Sequence, residues 1–369
     1  MESPLKIVER FEEITATWLT SALRQGGVLG NVTVESVDTE VIGLSAGYTS
    51  EIARLIPHYN DDEQNAPYSI IVKLPSLDPA TQAVGTSLHL YERESRFYQD
   101  IGPLAGIRVP TCYYSAMDLR QARHVLLLED FGPVGLGDQS PECTIEEARR
   151  ALEALARMHA KWWESEQLDN YPWLASSTRG SLSSTFQRKF QQGWGAVTER
   201  FSGRLPQGVE EVGDLLVRRV EDVIRRSSTS PVTLVHGSFR PENLYFESGA
   251  NVGGVGVANW QFVSRRQGAL DVAYFIPYAL PTDIRREHEA SLLNTYLETL
   301  TDSGVTDYSM DRLVGHYRLG LLRSLVLFVI GDENLDLAVS TGEIWTTRRV
   351  ASLEALADWN CAELLTEAT

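Results

Sequence analysis

Cysteine and lysine are both scarce in this chain of 369 residues. Its three cysteines, Cys112, Cys143 and Cys361, lie far apart and fit no metal-ligand spacing. Neither a disulfide framework nor a cysteine-based metal site is therefore expected, and free thiols in a reducing cytoplasm are. Lysine occurs only at positions 6, 73, 161 and 189. Its rarity draws attention to Lys73, which lies within an apolar run.

The chain also lacks an excess of positive charge and any apolar run of membrane length. Its formal net charge of -17 disfavours nucleic acid and anionic membranes as partners. The longest apolar run, residues 325–330, is too short to cross a bilayer and predicts a buried helix. Residues 1–6 lack the basic-then-apolar layout of a secretory signal. We therefore expect a cytoplasmic protein that binds neither nucleic acid nor membrane.

The hydrophobic pattern changes its period near Gly132. Before it, short apolar or alternating runs predict strands, and these lie at residues 32–37, 52–56, 68–74 and 124–128. A polar loop is expected at 60–65, and a helix over 81–99 interrupts the strands. After Gly132 the spacing becomes helical, and the predicted helices cover 148–163 (after a capping box beginning at Thr144), 208–226, 284–302, 308–330 and 341–366. This order predicts an α+β protein, strand-rich first and helical afterwards.

Two motifs suggest a family. His236-Gly237-Ser238 is followed by Asn243, and Asn259-Trp260-Gln261 is followed by Asp271. The two segments resemble the catalytic loop and the metal-binding segment of the aminoglycoside phosphotransferase/choline kinase-like superfamily, which includes ecdysteroid kinase-like proteins. The resemblance implies a protein kinase-like two-lobed fold with a cleft between the lobes. Residues 1–130 would form the β-rich lobe, and residues 131–369 the helical lobe with the catalytic-like loop and the acceptor pocket.

In that family, position 238 would hold the catalytic Asp and position 259 the metal-holding Asp. Ser238 cannot act as a carboxylate base, and Asn259 keeps an oxygen ligand without the negative charge that Mg²⁺ prefers. The resemblance makes Ser238, Asn243, Asn259 and His236 the candidate catalytic residues. No metal site is expected, and ATP and Mg²⁺ enter only if the chain is still a kinase.

The resemblance also implies a nucleotide side. Lys73 would reach phosphates and Glu94 would hold its amine. The loop at 43–50 would cover the phosphates through Ser45 and Gly47, because glycine permits close backbone approach. Glu129 lies in Leu-Glu-Asp-Phe-Gly at 128–132, which resembles the family's adenine-reading connector.

Aromatic side chains are dense between positions 162 and 194, where the family places acceptor-binding helices. We take Trp163, Trp194, Trp260 and Arg240 as candidate pocket residues. Such a pocket would suit a flat or apolar small molecule. An ordinary helical core would produce the same aromatic density, and the sequence leaves both interpretations open.

Three functions follow as hypotheses. The first is a repurposed enzyme that acts on a small apolar or aromatic metabolite, for example by cyclisation in a biosynthetic pathway, without ATP-dependent phosphorylation. The second is an atypical ATP-dependent kinase of a small hydroxyl compound. The third is a non-catalytic pseudokinase that binds a nucleotide or metabolite. Turnover with Mg²⁺–ATP separates the second from the others. The oligomeric state is left open.

Overall fold

The computed structural model describes residues 5–42, 50–61, 65–132, 142–174, 180–246, 254–334 and 348–366. The chain divides into two compact units. Residues 1–140 and 256–262 form the first unit, and residues 141–255 and 263–369 form the second. A single division at residue 130, as expected from the sequence, would assign 256–262 to the helical part. These residues instead group with the first unit.

An antiparallel sheet of five strands organises the first unit, in the order β1-β2-β3-β5-β4. The strands are β1 Val34–Val41, β2 Ser50–Tyr59, β3 Ile70–Pro75, β4 Cys112–Asp118 and β5 Arg123–Glu129. The central strand β3 is buried at all six positions, as expected for a strand covered on both faces. Lys73 on β3 pairs with Ile52 on one side and Leu126 on the other.

Three helices accompany this sheet: α1 Ala16–Gln25, α2 Pro79–Ser87 and α3 Leu90–Arg96. The helix predicted over 81–99 is thus two helices. His89 between them adopts a left-handed backbone with φ of 55°, which ends one helix and re-aims the next. A π-helical turn, Phe97–Ile101, follows α3. The break places Glu94 on a short helix of its own.

The second unit is mainly helical. Its helices in the described residues are α4 Ile145–Lys161, α5 Gly180–Arg200, α6 Val209–Leu216, α7 Val220–Arg226, α8 Ala269–Ala279, α9 Thr282–Asp302, α10 Met310–Asn334, α11 Glu354–Asp358 and α12 Glu363–Thr366. Four short strands follow α7 in the chain: β6 Thr233–Val235, β7 Leu244–Phe246, β8 Val255–Val257 and β9 Ser264–Arg266. Gly256 and Val257 of β8 belong to the first unit. β6 pairs with β9 antiparallel. The α+β class predicted from the sequence is confirmed.

Two local predictions can be checked in the second unit. The capping box at the start of α4 is present, with Thr144 and Glu147 satisfying each other's backbone N–H groups. The helix predicted over 208–226 is two helices, α6 and α7. The segment Met310–Gly331 of α10 is, among the described residues, long and apolar enough to cross a membrane, but 56% of its most apolar window is buried inside the protein. A core helix meets the same test, so this is weak evidence of a membrane span.

Candidate functional site

In the first unit, a buried lysine joins a carboxylate to an amide. The Nζ atom of Lys73 donates to Glu94 Oε1 at 2.5 Å and to Asn259 Oδ1 at 3.1 Å. Lys73 is 3% exposed, Glu94 1% and Asn259 7%. The ion pair predicted between Lys73 and Glu94 is therefore present. Because solvent is excluded, each of these groups depends on the others for its hydrogen bonds.

The segment that carries Asn259 is held within the same unit. The Val257 N–H donates to the Arg108 carbonyl at 2.8 Å. Asn259 has a left-handed backbone with φ of 64°, a conformation that Asn adopts more readily than most residues. The bend turns its amide oxygen to Lys73.

Trp260 is a core residue of the first unit. Its indole N–H donates to the Val257 carbonyl at 2.9 Å, and its ring stacks on Phe97 with centroids 3.9 Å apart. It has no exposed surface. A side chain without exposed surface cannot line an open pocket, so the assignment of Trp260 as a pocket residue is corrected. Its contacts instead fix the position of the neighbouring Asn259.

Glu129 and Asp130, at the end of β5, are both engaged with neighbours. The Glu129 carboxylate accepts from Arg108 and from the N–H and hydroxyl of Thr111, each of the latter at 2.9 Å. Burial alone would raise the pKa of Glu129, but the hydrogen bonds from Arg108 and Thr111 outweigh it and lower the pKa. Asp130 accepts from Arg54 Nε at 2.6 Å. The Glu129 side chain thus braces the strand end, and a nucleotide role for this residue stays a prediction. Ser45 and Gly47 lie outside the described residues.

In the second unit, the side chains of Asp271 and Asn243 hold the backbone of the loop after β6. Asp271 accepts from the N–H of His236 at 2.6 Å and from that of Gly237 at 2.8 Å. Gly237 has φ of 81°, a region that favours glycine. The Asn243 amide donates to the Ser238 carbonyl at 2.7 Å. These bonds bring His236, Ser238 and Asn243 together, as expected from the sequence.

The geometry of His236 limits what Ser238 can do. The Ser238 N–H donates to His236 Nδ1 at 3.1 Å, so this nitrogen is an acceptor and a neutral ring carries its proton on Nε2. Nδ1 is therefore engaged by the Ser238 backbone and cannot take the proton of the Ser238 hydroxyl. Activation of Ser238 by this nitrogen, in the manner of a serine hydrolase, is not supported.

Side chains of α4 and α9 lie next to Asp271. His159 on α4 lies with Nε2 3.4 Å from Asp271 Oδ2, and its Nδ1 is 2.8 Å from the Tyr296 hydroxyl. Burial raises the pKa of Asp271, but its interactions with His159, and then with His236 and the Gly237 N–H, lower it overall. The sequence did not reveal Tyr296 as part of this site, because a tyrosine on an amphipathic helix carries no sign of its partner.

The aromatic segment is largely core. Trp194 is 5% exposed, its ring stacks on Phe190 with centroids 5.7 Å apart, and its indole N–H donates to Asp214 at 2.8 Å. These contacts belong to the α5–α6 packing and favour a core role for Trp194, whose pocket role stays a prediction. Trp163 is half-buried and meets Tyr308 edge-on at 4.9 Å. Arg240 lies with Nε 3.5 Å from Glu242. Pocket roles for Trp163 and Arg240 stay predictions.

The residues present do not fit Mg²⁺. Among the described residues, no group of three or more His, Cys, Asp or Glu side chains lies close enough to hold a metal. The Asn259 oxygen is neutral and already accepts from the Lys73 ammonium. A divalent cation at that oxygen would lie next to a positive charge with no carboxylate on Asn259 to offset the repulsion. Lys73 has three N–H donors, and two of them are engaged within the part of the chain that the structure describes, so one remains for an anionic ligand such as a phosphate.

The fold is that of kinase-like phosphotransferases. An aminoglycoside phosphotransferase candidate from Ralstonia eutropha superposes with a TM-score of 0.53 and 15% identity, covering 94% of this chain and 97% of its own. The GDP complex of wild-type aminoglycoside 2'-phosphotransferase-IIIa gives 0.53 and 13%, covering 94% and 99%. A GDP and kanamycin complex of a related phosphotransferase gives 0.52 and 12%, covering 93% and 98%. These similarities establish the fold predicted from the sequence.

The sequence itself identifies the family. The sequence model of the ecdysteroid kinase-like family matches residues 45–305, which is well over half of the chain. The chain belongs to the ecdysteroid kinase-like family. No curated protein matches it by sequence.

Proposed function

We propose that this chain uses the phosphotransferase fold on a small molecule without ordinary Mg²⁺–ATP phosphoryl transfer. The observation that carries the proposal is the Asn259 amide oxygen, which is neutral and bonded to Lys73 at 3.1 Å. Phosphoryl transfer depends on positioning and on electrostatic stabilisation, in which metal ions neutralise the developing charge. Asn259 stands at the position where the family binds the metal, but its amide is neutral and accepts from Lys73. It therefore lacks the negative charge needed to hold a metal ion against the phosphates.

Ser238 supports the same proposal from the second unit. A positioned general base contributes about 10²–10⁴ in rate. The Ser238 hydroxyl is neutral, and His236 Nδ1 is engaged by the Ser238 backbone rather than by its hydroxyl. The carboxylate of Asp271 is committed to two backbone N–H groups. The loop therefore has a fixed backbone conformation and presents a neutral hydroxyl, that of Ser238, rather than a carboxylate base.

The reaction we favour is one that needs confinement and hydrogen bonds rather than a metal, such as cyclisation of a small metabolite. Ser238 would orient a carbonyl or hydroxyl of the ligand through its neutral hydroxyl. Trp163 and Arg240 are the remaining candidates for ligand contact. Two of the three candidate pocket tryptophans, Trp194 and Trp260, are buried, which weakens the case for an aromatic ligand, so we leave the substrate class at small molecules.

One observation favours the second candidate, an atypical ATP-dependent kinase. The Lys73–Glu94 ion pair is intact and almost fully buried. Such a pair is costly to keep in the interior unless its geometry is good. The presence of this pair is consistent with a site in which the Lys73 ammonium also binds an anionic group, such as a phosphate.

Calorimetric titration with ATP, with and without Mg²⁺, separates the candidates. We expect the native chain to bind ATP no more tightly when Mg²⁺ is added, because Asn259 offers the metal no charge. The variant Asn259→Asp restores a carboxylate and should gain Mg²⁺-dependent binding. Asn294→Asp, on the exposed face of α9, adds the same charge elsewhere and serves as the control. Micromolar binding of Mg²⁺–ATP by the native chain, with steady phosphorylation of a small alcohol, would establish the kinase instead.

A further inference from the structure

A small cavity lies within the second unit, next to Gly237 in the loop after β6. It has a volume of about 10 Å³, which is room for about one water-sized species. Residues from β6, β9, α8 and α10 line it, and the polar ones are Ser264, Arg266, Asp271, Tyr274, Arg323 and Ser324. A nucleotide phosphate or an organic acid is far too large for this space. Any occupant must be a single water or a small ion.

The charges around the cavity favour an anion. Arg266 and Arg323 contribute two cations, and Asp271 contributes one carboxylate. The Asp271 oxygens accept hydrogen bonds from the N–H groups of His236 and Gly237. These bonds offset part of the carboxylate's negative charge and so reduce its repulsion of an anion in the cavity. Arg266 is 6% exposed. The local excess is therefore one positive charge in a poorly solvated place.

Arg323 is the residue most in need of a partner. Its Nε atom is buried and has no hydrogen-bond partner in the part of the chain that the structure describes. Over the same residues, no carboxylate lies within salt-bridge distance of its guanidinium. Burial lowers the pKa of Arg323 to about 10, against the opposing charge of Asp271, so the group stays protonated at neutral pH. A buried N–H donor without a hydrogen-bond partner is costly, and an anion that accepts from Arg323 Nε removes that cost.

We propose that this cavity is a binding site for a small monovalent anion such as chloride, held between the guanidinium groups of Arg266 and Arg323. The hydroxyl of Ser264, which is 4% exposed, supplies a further donor. The site does not depend on the proposed function, because neither Ser238 nor Asn259 lines it. A bound anion would tie β9 to α10.

The experiment measures chloride binding by the broadening of the ³⁵Cl NMR signal at constant ionic strength. The native chain should give a broadening that saturates with chloride and falls when bromide is added. Arg323→Met keeps the apolar stem, removes the charge and should lose most of the broadening. Arg312→Met, on the same helix but outside the cavity, should leave it unchanged, because surface arginines attract chloride only weakly.

A second measurement covers the case in which Arg323→Met does not fold. Crystals of the native chain soaked in sodium bromide should show an anomalous peak between Arg266 and Arg323. No saturable broadening in the native chain, equal broadening in both variants, or a cavity without a bromide peak would overturn the proposal and leave a water as the occupant.

Discussion

Removal of the Lys73 charge should destabilise the first unit strongly. Lys73→Met preserves the length of the side chain but leaves Glu94 as an unpaired carboxylate that is 1% exposed. Breaking a buried pair from one side costs about 3–5 kcal/mol. The Asn259 oxygen also loses its donor, and an unsatisfied buried acceptor costs about 1–3 kcal/mol. Since the two effects share one residue and overlap, we expect a loss of about 4–6 kcal/mol.

The assay is urea unfolding followed by fluorescence at pH 7, with the free energy of unfolding extrapolated to water. The double variant Lys73→Met/Glu94→Met removes both charges, and its loss should fall to about 1–3 kcal/mol, because the remaining cost is mainly the Asn259 acceptor. Arg96→Met is the matched control, since its ion pair with Glu92 on the same helix is partly exposed. Exposed pairs contribute about 0.2–1 kcal/mol. A loss below about 1 kcal/mol for Lys73→Met would refute the buried-pair account.

Four further predictions concern other parts of the molecule. Asp271→Asn should lower the free energy of unfolding by about 2–4 kcal/mol, because it weakens two charge-assisted hydrogen bonds. It should also speed hydrogen exchange at the amides of His236 and Gly237, and unchanged exchange would contradict this. Burial, and to a smaller extent the charge of Lys73, lowers the pKa of His124 from 6.5 to about 3. As the pH falls from 6.5 towards 3, the unfolded chain therefore binds a proton at His124 that the folded chain does not bind, and the folded state loses stability. The native chain should therefore lose about 2 kcal/mol more than His124→Phe between pH 7 and pH 5, and equal losses would be the contrary result. Trp194→Ala should cost about 3–5 kcal/mol as a core truncation, whereas a change in ligand affinity at full stability would support its pocket role. Gly213→Ala should cost about 1–3 kcal/mol, because the added carbon would lie 2.0 Å from Trp194, and an unchanged unfolding midpoint would show that α5 and α6 pack otherwise.

The sequence predicted the α+β class and the motifs of the loop, because apolar periodicity and motif spacing are local properties. Strand β4 was missed, since all seven of its residues are half-buried and none marks an apolar face. The break at His89 was also missed, because the two helices keep a continuous helical spacing and only the left-handed backbone separates them.

For the candidate site, the types of interacting side chains were easier to predict than their places in the fold. The Lys73–Glu94 pair was predicted from the family resemblance, in which a strand lysine is held by a glutamate on the neighbouring helix. The bond from Lys73 to Asn259 joins residues 186 positions apart, and no local pattern reveals it. Trp194 and Trp260 were placed in a pocket because aromatic density is the same in a pocket and in a core. Only the contacts with Phe190 and Phe97 distinguish the two.

The central claim is that the chain does not transfer phosphoryl groups through Mg²⁺–ATP. Radiolabelled ATP with Mg²⁺, incubated with the chain and a panel of small hydroxyl compounds, tests it most directly. We predict no labelled product above the enzyme-free background for any compound. Transfer at about 1 s⁻¹ or faster, the range of working kinases, would contradict the account and make the chain a kinase in spite of Ser238 and Asn259.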